Sequence, residues 1–160
     1  MDASITLNKL LQRFPQSILE THSHRGDDTA VVRKEDIVAV CTFLRDDEAL
    51  LYNFMMDLTA VDYLGKDPRF EVVYHLFSLK HNQRVRIKAR VSESDCSIDS
   101  IVSVWISSDW FEREVFDMYG ITFKGHPELR RILLYEGFEG HPLRKDYPIK
   151  KRQPLIGPTN

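Results

Sequence analysis

Apolar positions at 5, 7, 10, 11 and 14 fall on one helical face, and Pro15 marks the end of that helix. Residues 18–24 and 29–33 read as short strands on either side of the turn Arg25-Gly26-Asp27-Asp28. Over 34–45 the helical spacing returns through Ile37, Val40, Cys41 and Leu44, and 51–57 reads as a strand leading into L-T-A-V-D-Y-L-G. Residues 70–79 and 84–91 form a hairpin by length and composition, turning at His81-Asn82-Gln83. In its second strand Val85, Ile87, Ala89 and Val91 alternate with Arg84, Arg86, Lys88 and Arg90, one face for a core and one for water or a partner. Ser97 is placed to cap a helix carrying Ile98, Ile101, Val102 and Trp105. Asp109, with Glu112 three positions on, is placed to cap a further helix that Gly120 stops.

After Gly120 the hydrophobic period disappears. Five of the seven prolines and five of the seven glycines lie at or beyond position 120. Such a strip cannot bury enough apolar surface to hold itself in place, so it must lie along something else. The expected architecture is α+β: a two-layer domain with a mixed four- to five-stranded sheet, helices on one face, and an extended C-terminal arm. The globular part is expected over 1–123 and a partner-binding arm over 124–160, with 149–160 expected to move even when the arm is bound.

Composition narrows the class. The chain of 160 residues is 42% apolar and 29% charged, the range of a globular domain, and no apolar run nears the roughly 18–20 residues of a membrane helix. The opening M-D-A-S-I-T lacks the basic flank and apolar stretch of a signal peptide, so a cytoplasmic place is expected, with any membrane association made through a partner. Residues 124–160 hold eight Lys/Arg against four acids, whereas the other 123 residues hold 14 basic and 20 acidic groups. The chain is an acidic body with a basic tail.

Candidate chemistry is sparse. Cys41 and Cys96 are two thiols where an iron–sulfur cluster takes about four, and Cys41 reads as a buried small hydrophobe. The seven glycines form no phosphate-cradling motif. Glu112, Arg113, Glu114 and Asp117 put four charges within six helical positions, but an acidic helix start with Glu–Arg pairs inside an interface explains them better than acid–base catalysis. His126 and His141 each sit in Gly-His-Pro, where a histidine bonds backbone beside a turn more readily than it ligates a metal fifteen residues from its partner. The four cations on one strand could face nucleic acid, yet the body is acidic and no RNA-binding motif accompanies them.

Together these residues resemble one family, the 30 kDa subunit (the C subunit) of the proton-translocating NADH:quinone oxidoreductase, respiratory complex I. The resemblance rests on Glu112-Arg113-Glu114, Asp117, Met118-Tyr119, His126, Arg130 and Ile132-Leu133, which follow the family pattern without departure. It rests also on H-P-L-R-K-D-Y-P from His141 to Pro148 and D-L-T-A-V-D-Y from Asp57 to Tyr63. The resemblance implies a non-catalytic subunit with no cofactor or metal of its own. FMN and iron–sulfur clusters are expected in partner subunits. The chain is expected to pack on the D subunit of complex I, near the B subunit, at the cytoplasmic side of the inner membrane. Glu112, Arg113, Glu114, Asp117, His126, Arg130, Arg131, His141, Arg144 and Asp146 then become partner-interface residues. Leu129, Ile132, Leu133, Leu134 and Tyr135 would serve as apolar anchors. The rival reading is the equivalent subunit of a related machine, a plastid-type dehydrogenase or a membrane-bound hydrogenase.

Overall fold

The computed structural model describes residues 4–154 and 156. Helix α1 (Ile5–Arg13) starts where Ser4 accepts the Leu7 N–H. It is followed by strands β1 (Ile18–His24) and β2 (Asp27–Val32), a 3₁₀ turn at Lys34–Asp36 and helix α2 (Ile37–Asp46). Then come β3 (Phe54–Asp62), β4 (Phe70–Ser78), β5 (Gln83–Val91), β6 (Ser97–Asp99), α3 (Ser108–Tyr119) and β7 (Thr122–Lys124). Five strands form a mixed sheet in the order β1-β2-β5-β4-β3, in which β2 and β5 run parallel and the other neighbours antiparallel. The parallel pair forces a long crossover, supplied by α2, β3 and β4.

Register explains the alternation read along the strands. Ala30, Ile87, Tyr74 and Leu58 stand in one row across the sheet, and all four are buried. They share one core with Leu7 and Leu10 of α1, Ile37, Val40, Cys41 and Leu44 of α2, and Val115 of α3. The adjacent row, Thr29, Arg86, His75 and Asp57, lies on the opposite face. There two of the four cations of β5 are paired across the strands, Lys88 with Glu71 at 2.8 Å and Arg90 with Glu20 at 2.9 Å, while Arg86 donates to the Thr29 hydroxyl.

Three local expectations are corrected. Residues 97–99 form no helix. They pair parallel with β7, and the 3–4 spacing arises because Val104 and Trp105 both donate to the Ile101 carbonyl in a single tight turn that does not propagate. Asp109 is not the cap of α3, which begins at Ser108 after Ser107, and Glu112 turns inward. The third strand runs over Phe54–Asp62 rather than 51–57, because Leu51 takes φ 45° in the turn that ends α2. Among the described residues no helix is long and apolar enough to cross a membrane. Of the stretch expected to move, Gln153 bonds the Glu139 carbonyl and the Tyr147 hydroxyl, while 155 and 157–160 lie outside the described residues.

Candidate assembly site along the third helix

The family pattern converges on α3, which divides its circumference three ways. At 100° per residue, Glu112 and Val115 point to the core, Arg113 and Asp117 toward the segment after β7, and Trp110 and Glu114 toward solvent. Glu112 is fully buried: Ser100 Oγ donates to it at 2.6 Å and the Ile101 N–H at 2.8 Å. Burial raises its carboxyl to about 7, against the opposing pull of those bonds. It ties the turn at 100–105 to the helix, so this carboxylate faces its own chain.

Asp117 does the corresponding work for the arm. Its Oδ2 accepts the consecutive backbone N–H groups of Ile132, Leu133 and Leu134 at 3.1, 2.9 and 2.9 Å, while Arg131 donates to Oδ1 at 2.7 Å. Burial alone would raise this carboxyl; the Leu134 N–H, Arg131 and the other two N–H groups outweigh it and leave it below the ordinary carboxylate value. Arg113 completes the seam by donating to the carbonyls of Arg130 and Arg131. The arm therefore runs along α3 in the same direction as the helix, without forming a helix or strand of its own among the described residues after 124.

Both histidines hold backbone, at opposite ends of that helix. Glu128 N–H donates to His126 Nδ1, so the ring proton sits on Nε2 and reaches the Asp109 carbonyl at 3.1 Å. His141 Nδ1–H donates to the Asp117 carbonyl at 2.9 Å, and burial holds that imidazole below its ordinary pKa, in the neutral form. At the same end the Leu143 N–H donates to the Met118 carbonyl and Arg144 Nε–H to the Tyr119 carbonyl at 2.6 Å. Three carbonyls orphaned at the helix terminus are thus capped by the arm, with a guanidinium at the negative end of the helix dipole. Gly120 makes room for this: it takes φ 74°, and a Cβ there would lie 2.5 Å from His141 Nε2.

The far end of the arm docks on the sheet. Lys145 N–H donates to Asp62 at 2.8 Å, so the two motifs read separately in the sequence, around Asp62 and around His141–Pro148, meet here. Arg69 is the hub. It forks onto Asp62 through Nε and Nη2, both at 2.9 Å, and reaches Glu93 at 2.6 Å and Asp146 at 2.8 Å. These pairings hold Asp62 and Asp146 below the ordinary carboxylate value and push Arg69 up. Arg69 and Arg144 each lie 5.0 Å from the centre of the Phe70 ring. Sequence reading missed Arg69 and Glu93, single charged residues with no period and no motif around them.

Of the expected interface residues, Glu112 and Asp117 are wholly buried in this chain, and Arg113, Arg131, His126, His141 and Arg144 are engaged with it. Arg130 is exposed beside Glu128, Glu114 is exposed, and Asp146 is half exposed while paired with Arg69. Leu129 packs on the core of this chain, whereas Leu133 stands out in solvent. The strip does lie along something else, as its composition demands, and much of that surface is the chain's own third helix. Among the described residues no group of three His, Cys, Asp or Glu could hold a metal ion.

The profile of the family described as respiratory-chain NADH dehydrogenase, 30 Kd subunit, matches residues 30–153. The C subunit of NADH-quinone oxidoreductase from Geotalea uraniireducens (strain Rf4) is 54% identical over 151 residues, covering 93% of this chain and 91% of that protein. The solved structure titled Nqo5 of the trypsin-resistant fragment (1-134) superposes with a TM-score of 0.63 at 28% identity, over 78% of this chain and all of that one. A chain from the archaeal membrane-bound sulfane sulfur reductase shares the fold, with a TM-score of 0.68 at 22% identity over 90% of this chain and 84% of that one.

Proposed function

The chain belongs to the 30 kDa subunit family of respiratory-chain NADH dehydrogenase, and from that membership we propose that it is a structural subunit of the peripheral arm of an NADH:quinone oxidoreductase. In this reading it carries no catalytic centre, and FMN and iron–sulfur clusters belong to other subunits. It sits on the cytoplasmic side of the membrane, held there by the complex, packed against the D and B subunits. The whole assembly couples electron transfer from NADH to quinone with proton translocation; this chain keeps its neighbours in place.

The supporting observation is the pre-shaped arm. Ordering a bare strip costs on the order of 1–2 kcal/mol per residue, which a partner surface would have to offset. Here Asp117, Arg113, His141, Arg144 and Arg69 have already ordered the backbone. The outer face, with Arg130, Leu133, Leu143, Lys145 and Ile149 exposed, is then offered to a neighbour at reduced cost. The names of relatives at about half identity favour a quinone oxidoreductase over a hydrogenase-type machine. The test is gentle affinity purification of the N-terminally tagged chain from its native cells, with an assay of NADH:quinone reductase activity. Recovery of the D and B subunits with flavin and iron–sulfur centres supports the reading; a chain recovered without redox partners defeats it.

A further inference from the structure

The arm is pinned in two different ways along its length. Up to Asp146 it is bonded to the body of the chain, through Asp117, the Met118 and Tyr119 carbonyls, Asp62 and Arg69. From Tyr147 to Gln153 the bonding is different. Among the described residues, every hydrogen bond, ion pair and ring contact of that stretch ends on the arm itself, and none reaches α3 or the sheet. Tyr147 stacks on Phe138, with ring centroids 6.3 Å apart and planes at 19°. Gly140 permits that approach, since a Cβ there would stand 3.1 Å from the Tyr147 ring. The amide of Gln153 closes the open end of this loop.

Gln153 Oε1 accepts the Glu139 N–H at 2.9 Å, while Nε2 donates to the Glu139 carbonyl at 2.8 Å and to the Tyr147 hydroxyl at 2.9 Å. Only one orientation of the amide serves, because the backbone N–H needs the oxygen and the carbonyl needs the nitrogen. The side chain thus pairs with both polar groups of one residue, as a neighbouring strand would, across 14 positions of chain. The Lys151–Glu139 pair, exposed and at 3.5 Å, adds little. We propose that residues 147–153 form a leaf that opens and closes on the arm independently of the seam along α3, with Gln153 as its latch. The closed leaf is the form that enters the complex, a clause that rests on the assembly reading above. Gln153 is a positioning residue: it fixes where the exposed Ile149, Lys150 and Arg152 stand. A closed leaf loses less freedom on meeting a neighbour, and an open one lowers the apparent affinity by the fraction that remains closed.

The test compares the full chain with Gln153→Ala, Gln153→Glu and Tyr147→Phe. Gln153→Glu keeps the size and one acceptor but sets a second oxygen against the Glu139 carbonyl, and Tyr147→Phe keeps the stack without the hydroxyl. In the isolated chain, amide exchange at Glu139 is expected to quicken about 10- to 100-fold in both Gln153 variants and less in Tyr147→Phe. Trypsin should cut sooner after Lys150, while exchange at residues 132–134 and the melting temperature stay unchanged. Retention in the purified complex should fall about 3- to 10-fold, in the same order of variants. Unchanged exchange at Glu139 in Gln153→Glu overturns the latch, and equal quickening at 132–134 overturns its independence from the seam. Full retention of Gln153→Glu in the complex, with its Glu139 exchange quickened, overturns the closed leaf as the entering form. A wild-type chain that enters no complex defeats the assembly reading and that clause together, whereas the exchange comparison decides the latch by itself.

Discussion

The sheet and the arm are held by different physics. Across the sheet, rows such as Ala30–Ile87–Tyr74–Leu58 put apolar side chains against three helices, and stability is spread over the whole core. Along the arm, a few buried charges and ring nitrogens grip backbone N–H and C=O groups one at a time. Apolar burial tolerates approximation, whereas a carboxylate that accepts three successive N–H groups demands one geometry. Each region therefore fails in its own way: the sheet all together, the arm link by link.

The largest effect should come from the sheet. Ile87→Ala is expected to cost about 2–5 kcal/mol and to lower the thermal midpoint of the whole chain in calorimetry. Next, Asp117→Asn should cost about 3 kcal/mol locally by breaking a buried charge pair. Hydrogen exchange would then speed up at residues 132–134, and trypsin would cut faster at Arg130 and Arg131, while β5 amides keep their protection. Equal acceleration in β5 would erase the distinction between the two regions. Gly120→Ala should cost about 1–2 kcal/mol through its positive φ, and the crowding of His141 should loosen the arm by the same exchange readout.

The smallest effect is the pH dependence, and its sign differs between the regions. Asp117, Asp62 and Asp146 are lowered in the folded chain, so the stability they add is present above the unfolded carboxylate value near 4 and is lost as pH falls through their folded values. Glu112 is raised to about 7, so its contribution is fully present below the unfolded value and is lost as pH rises through about 7. Acid should release the arm before it disturbs the core, and Glu112→Gln should flatten the loss of stability on the alkaline side. Proteolysis of the arm and denaturant melts, both followed from about pH 3 to 9, check the two halves of that statement.

The same difference explains what could be read in the sequence. Strand β5 and helices α1 and α2 announced themselves because their burial repeats with period 2 or 3.6, and β4 because it is a run of aromatic and β-branched residues buried almost throughout. Residues 97–105 misled because Ile98 is buried in a short strand and Ile101 and Trp105 in a single turn, which together imitate helical spacing. The importance of Asp117, His141 and Arg144 came through the family pattern. Their actual targets are backbone atoms of α3 and of the arm, and backbone atoms leave no mark in a sequence. Arg69 stood outside every motif, and only the fold brings it to Asp62 and Asp146 at once.

The bond from Lys145 N–H to Asp62 spans 83 positions. During synthesis, at about 5–20 residues per second, β3 and its neighbours emerge several seconds before their partner on the arm. The sheet can therefore be complete while the arm is still inside the ribosome. Only a chain extended beyond Lys145 can close this link, so a product cut short before that residue would lack the bond that docks the arm on the sheet. The clasp therefore reports that the arm has been made.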